Sequence, residues 1–167
     1  MARPFGRLIA GVLLLVAGAS AAQARDALGV WEDWAAFRDP AVPRCYAIAM
    51  AAGGTQSREL VPFMTVGTWP ARNVRGEVHW RLSRRIAPGS KVVLSLDGEK
   101  FELLASEASA WAQDRRMDAA IVAKMRAAPL LAVSGKSRDG RTFRDGYALP
   151  GAASALDAAT LGCAGQP

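Results

Sequence analysis

Cys45 and Cys163 are the two cysteines of the chain and stand 118 positions apart. A bond between them would close nearly the whole fold into one loop, and whether they are oxidised is a question of compartment. The first 24 residues speak to that. Arg3 and Arg7 form a short basic start, Leu8 to Ala19 is an apolar run of twelve residues, and Ala22 and Ala24 place small side chains at −3 and −1 of a cleavage site. As a helix that run spans roughly 18 Å, well short of a bilayer core, so the segment reads as a removed export signal rather than an anchor. No Cys follows Ala24 and no Arg-Arg pair precedes the run, which points to general secretion rather than lipoprotein or twin-arginine export. The expected residence is the periplasm, the secreted fraction or the cell surface. There an even pair of thiols is most simply a disulfide. Two separate free thiols are the other reading, and no Cys-x-x-Cys spacing offers a redox catalyst.

Removal of residues 1–24 leaves 143 residues, Arg25 to Pro167, and lowers the net charge from +6 to +4 as Arg3 and Arg7 depart. That length suits a single β-rich domain over 25–167. With 51% apolar and 22% charged residues the composition is globular, which excludes wholesale disorder. One histidine and two cysteines are too few for a four-ligand His/Cys zinc site or an iron–sulfur cluster. No metal or other cofactor is expected. The moderate positive charge favours anionic surfaces but falls short of a nucleic-acid-binding composition. No second apolar run reaches about 18 residues, so the mature chain is expected to lack a membrane span.

Turn signals cut the mature chain into short strands. Arg44–Ala51 alternates, with Cys45, Ala47 and Ala49 on one side and Tyr46, Ile48 and Met50 on the other. Leu60–Thr68 follows a Gly53-Gly54 turn, and Pro62 calls for an edge position or a late start. In Glu77–Leu82, Val78, Trp80 and Leu82 point one way while Glu77, His79 and Arg81 point the other. Asp97-Gly98 between Lys91–Leu96 and Lys100–Leu104 predicts a hairpin, and so does Asp139-Gly140 between Leu130–Ser137 and Thr142–Leu149. A helix is predicted from an Asp114 cap to Ala128, with Met117, Ala120, Ile121 and Met125 on one face and Pro129 beyond. A second covers Ala152–Leu161, with Ala152, Ala155, Leu156 and Ala159 as its stripe and Gly162 just past its end. Ahead of these, Trp31, Trp34 and Phe37 lie three apart and read either as a helix or as an irregular aromatic segment, ended by Pro40 and Pro43. The sum is a mainly β (β-rich α+β) fold. It is expected as a single antiparallel β-sandwich or barrel-like domain of about seven short strands with two short covering helices.

The chemistry-bearing residues point away from catalysis. Ser134-Gly135-Lys136-Ser137 imitates the end of a phosphate-binding loop, but Leu130 stands where the first Gly belongs and a hairpin follows where a helix is needed. His79 sits between Glu77 and Arg81 with no Gly-x-Ser-x-Gly elbow to serve, and reads as a solvated strand residue. Glu99 with Glu102, and Glu107 with Asp114, are carboxylate pairs of the kind a glycosidase uses, yet they lie beside Lys or in polar loops. No catalytic residue is assigned. Arg72, Arg75, Arg81, Arg84, Arg85 and Lys91 gather six cations against Glu77 alone, with Trp69 and Trp80 among them. They form a candidate patch for an anionic ligand; the plainer reading is a solvated strand face whose arginines deter edge pairing. Trp31, Trp34, Trp69, Trp80 and Trp111 are core anchors by default.

Three stretches together resemble the invasion-associated locus B family of exported bacterial proteins. They are Leu28 to Trp34 (Leu-Gly-Val-Trp-Glu-Asp-Trp), the Cys45-Tyr-Ala-Ile-Ala strand, and Tyr147 to Leu156 with its aromatic-x-Leu-x-Gly step before an alanine-rich helix. The resemblance covers roughly 28–163 and is to a divergent member: Leu103 to Asp114 lacks the additional cysteine pair, and Pro150-Gly151 replaces a Gly-aromatic step. It implies a β-rich periplasmic or surface protein and brings no catalytic residue with it.

The expected function is that of an exported, non-enzymatic envelope protein acting as an interaction or binding module. Its expected partner is an anionic envelope polymer or another envelope protein, with nucleic acid excluded. A periplasmic hydrolase is the alternative, as is an enzyme inhibitor presenting the Gly53–Arg58 or Lys136–Arg141 loop. The export reading makes a direct prediction. Intact mass and N-terminal sequencing of the exported chain should give a 143-residue protein beginning at Arg25; a retained Met1 would refute it.

Overall fold

The computed structural model describes residues 25–52 and 59–164; the expected Ala24 cleavage and the Gly53–Arg58 loop lie outside the described residues. The aromatic opening segment is neither helical nor irregular. It is a hairpin of β1 (Asp26–Trp31) and β2 (Trp34–Asp39), in which Trp31 and Trp34 form a cross-strand pair around Glu32 and Asp33, with Glu32 at φ 49°. A two-residue turn sets its flanking residues side by side, so a spacing of three mimics a helical repeat. Phe37 faces the other way, its ring 5.7 Å from that of Tyr46.

In β3 (Arg44–Met50), Cys45, Ala47 and Ala49 are buried on one side, as the alternation predicts; on the other Met50 is exposed and Ile48 half-buried, but Tyr46 is buried too, between Phe37 and the Arg44 guanidinium. β4 (Phe63–Trp69) begins directly after Pro62 and lies between β3 and β5 (Val74–Arg81). Of the two readings of Pro62, the late start is the one seen. A 3-10 turn at Pro70–Arg72 joins β4 to β5. Gly67 lets the Trp69 ring fold over it: a Cβ there would sit 2.5 Å from that ring and displace it. The Asp97-Gly98 hairpin forms between β6 (Val92–Leu96) and β7 (Glu99–Ser106), with both turn residues at positive φ, 50° and 74°. β8 (Ser109–Trp111) is too short and too rich in small residues to be read from sequence. The second hairpin pairs β9 (Leu130–Lys136) with β10 (Thr142–Ala148).

These strands make ten, not seven, and they form one open antiparallel sheet in the order β1-β2-β3-β4-β5-β8-β7-β6-β9-β10. The sandwich-or-barrel expectation is corrected accordingly, while the mainly β class and the two helices stand. β7 turns the corner of the sheet: Glu99–Leu103 pair with β6 and Leu104–Ser106 with β8. The far ends of the strand order then approach each other. Ala52 bridges Gly146 of β10, and the Trp34 indole N–H donates to Ala148 O at 2.9 Å. β1 and β10 remain unpaired with one another, so the sheet curls without closing.

Both helices lie on the Cys45 side. α1 (Arg115–Met125) is capped by Asp114, whose carboxylate accepts the Met117 N–H at 2.8 Å. It buries Ile121 and Met125 but leaves Ala120 exposed and stops before the expected Ala128. Asp118, in its first turn, accepts the Val78 N–H of β5 at 2.9 Å. β8 pairs with β5 only from His79 to Arg81, so this carboxylate takes over where the short strand gives out. Burial pushes the Asp118 pKa up, against that hydrogen bond.

α2 (Ala152–Gly162) buries Ala152, Ala155, Leu156 and Ala159, the stripe read from sequence. Gly162 stays helical rather than following the helix, and a Cβ on it would lie 2.5 Å from Leu28 Cδ1. The left-handed glycine is instead Gly151 at the N-cap, φ 86°, where a Cβ would strike the Trp31 carbonyl oxygen. Cys163, directly after α2, is bonded to Cys45, with their Cα atoms 5.7 Å apart. At the β2–β3 turn, Asp39 is buried between Arg25 (3.2 Å) and Arg44 (3.5 Å) and accepts the Val42 N–H. Burial opposes its charge, but these donors outweigh burial and hold its carboxyl below the usual range.

The bridge spans 118 positions, and closing so long a loop in the unfolded chain is worth about 4–5 kcal/mol in the chain-entropy account. Replacing both cysteines by alanine should lower the urea-unfolding free energy by about that much. A loss below about 1 kcal/mol would show that the loop is already constrained in the unfolded chain.

Candidate functional site

Antiparallel pairing carries residues of one parity straight across a sheet. From Val30 the register runs through Ala35, Ile48, Thr65, His79 and Trp111 to Leu104. This row crosses seven strands and is roughly 29 Å wide. It lies on the face opposite Cys45, away from both helices. Its residues are largely apolar or aromatic where an outward strand face is ordinarily polar. Val30 is 72% exposed, Leu104 55% and the neighbouring Met50 51%. At its centre His79 is half-buried between two aromatic rings, with the Trp111 centroid at 5.2 Å and the Phe63 centroid at 6.1 Å. Burial pushes the His79 pKa down, and Arg81, next along the same face, adds to the shift.

The six cations singled out in the sequence occupy separate places. Arg81 lies beside the row, opposite Phe63 and Ser109. Arg84 follows it in the loop after β5. Arg85 is paired with Glu59 at 3.0 Å and Glu107 at 3.5 Å, and Lys91 with Glu102 at 2.8 Å, which raises the lysine's pKa. Arg72 and Arg75 lie at the other end of β5, about 20 Å from Arg81. Arg72 covers the Trp69 ring at 5.9 Å, and Arg75 turns into a cleft on the helix side beside Gly76, whose φ of 70° interrupts the strand's alternation.

The carboxylates considered for hydrolysis are each engaged. Glu99 pairs with Lys124 (2.9 Å), Glu102 with Lys91, Glu107 with Arg85 and Arg138, and Asp114 caps α1. The loop Lys136–Arg141 is braced internally. Asp139 accepts from the Ser137 hydroxyl and from Arg141, which together hold its pKa well below the carboxylate range. Among the described residues no group of three His, Cys, Asp or Glu side chains could hold a metal ion. No described helix is long and apolar enough to cross a membrane. Trp111 and Leu104 were missed as surface residues. The signal was the adjacent Leu103-Leu104 in an alternating strand, one of which has to face outward.

The fold is similar to that in the crystal structure of invasion associated protein B from Bartonella henselae, with a TM-score of 0.58 over 83% of this chain and 97% of that one, at 16% sequence identity. No family model matches the chain, and no curated protein matches it. The likeness supports the resemblance read from Leu28–Trp34, Cys45 and Tyr147–Leu156 at the level of the fold.

His79 yields a pH prediction. Its folded pKa lies below the ordinary 6.5, so the folded chain prefers the neutral imidazole. As pH falls below about 6.5 the unfolded chain takes up the proton first and stability drops, until the folded pKa is reached. His79→Gln should flatten the fall of the urea midpoint just below about pH 6.5; an unchanged slope would contradict the assignment.

Proposed function

We propose that the chain is an exported, non-enzymatic envelope protein, a disulfide-clamped β-domain that works as an interaction module in the periplasm or at the cell surface. The observation that carries this reading is the Val30-to-Leu104 row. A face seven strands wide with exposed aliphatic and half-buried aromatic side chains is costly in water and is the kind of surface that proteins keep for a partner. Arg81 lies beside it, with Arg84 three residues on in the loop after β5, and neither has an ion pair among the described residues, whereas Arg85 and Lys91 are neutralised by carboxylates. The partner is therefore anionic, an envelope polymer or the acidic surface of another envelope protein, meeting aromatic contacts in the centre and arginines at the margin. The export signal, the disulfide and the fold shared with invasion associated protein B support the envelope setting.

The test is retention of the oxidised, exported chain on lipopolysaccharide and heparin resins across a salt gradient. Arg81→Glu with Arg84→Glu should elute at distinctly lower salt than the parent, because reversing charges at the margin acts on the screened part of the attraction. Unchanged elution with an unchanged circular dichroism spectrum would overturn the reading.

A further inference from the structure

On the helix side, α1 and α2 are held apart. α2 is drawn onto β1 to β4 by its alanine stripe and the Cys45–Cys163 bond, and α1 is held on β5 by Asp118. The side chains they turn towards each other are small, Ala119, Ala123 and Val122 on one wall and Ala164 with the Cys163 end of α2 on the other, and they leave a cavity of about 630 Å³. That is the size of a pocket for one small molecule. The Arg126–Asp157 ion pair, 2.7 Å, straps the two helices together beside it.

The polar side chains lining this cleft are two arginines and two threonines, with no carboxylate among them. Arg75 lines it and has no ion pair among the described residues. Thr68 Oγ1 accepts the Gly76 N–H at 3.4 Å, which leaves its hydroxyl proton free to be given away. The Thr160 hydroxyl is occupied, donating to Leu156 O at 2.8 Å. Arg126 is balanced by Asp157, so among the described residues Arg75 is the one unmatched charge lining the cleft. An apolar chamber with a single unmatched guanidinium and a hydroxyl donor calls for a ligand with an acceptor-only anionic head and an apolar tail. We propose that the cleft binds a single-chain fatty acid, its carboxylate on Arg75 and Thr68 and its tail between the helices. This goes beyond the outer-face reading and uses the opposite side of the sheet.

The experiment is fluorescence titration of the oxidised, exported chain with cis-parinaric acid, followed by displacement. Saturable 1:1 binding is expected, with laurate displacing the probe and methyl laurate doing so at least tenfold more weakly. Arg75→Glu should weaken laurate by at least tenfold. Ala123→Trp, at an exposed position on α1 whose new ring would fill the cavity, should abolish binding with the circular dichroism spectrum unchanged. The Arg81→Glu, Arg84→Glu chain should bind laurate normally, so loss of resin retention and loss of laurate binding fail separately. The proposal is overturned by absence of saturable binding, by methyl laurate competing as well as laurate, by undiminished binding in Ala123→Trp, or by capture of phosphatidylglycerol vesicles in place of laurate.

Discussion

The bond between Cys45 and Cys163 is the constraint from which the rest of the arrangement follows. Cys45 lies on the inward parity of β3, in the same row as Thr68 of β4, so a partner on α2 has to approach from that side. The helix N-terminus is seated just as closely, with Gly151 against the Trp31 carbonyl. Held at both ends, α2 has one place to lie. α1 joins it on the same side because Asp118 answers a backbone N–H of β5 there. One surface of the curled sheet thus receives both helices and the cavity between them, and the other is left to strands alone.

That division organises the electrostatics. Half of the described cations are settled locally, as in Asp39 with Arg25 and Arg44, Glu107 with Arg85 and Arg138, and Asp157 with Arg126. Exposed pairs of this kind add little stability, but they take cations out of circulation. What is left over is informative. Arg81 lies by the aromatic row and Arg75 by the cleft, so two of the cations without an ion pair among the described residues sit where the surface is also apolar.

Much of this was legible in the residues, and the failures have physical causes. Strict alternation gave away β3 and β5, paired positive-φ turn residues gave away the β6–β7 hairpin, and the alanine stripe named the buried face of α2. The first hairpin hid because Trp31 and Trp34 flank a Glu-Asp turn with no glycine to mark it. β8 hid because Ser-Ala-Trp carries too little hydrophobic pattern to register. The cation cluster is compact in sequence and dispersed in space, since an extended strand puts Arg75 far from Arg81. The outer row depends on register, which no local window contains. Gly162 was misread because glycine after a helix usually marks its end, whereas here it makes room for Leu28.

β7 has a role in how the molecule comes apart. Its eight residues serve two neighbours in succession, β6 along the first stretch and β8 along the second. Neither leaf of the sheet keeps a full set of backbone partners if this ribbon peels away. Heat or force should therefore find no seam between the leaves, and the molecule should melt as one piece.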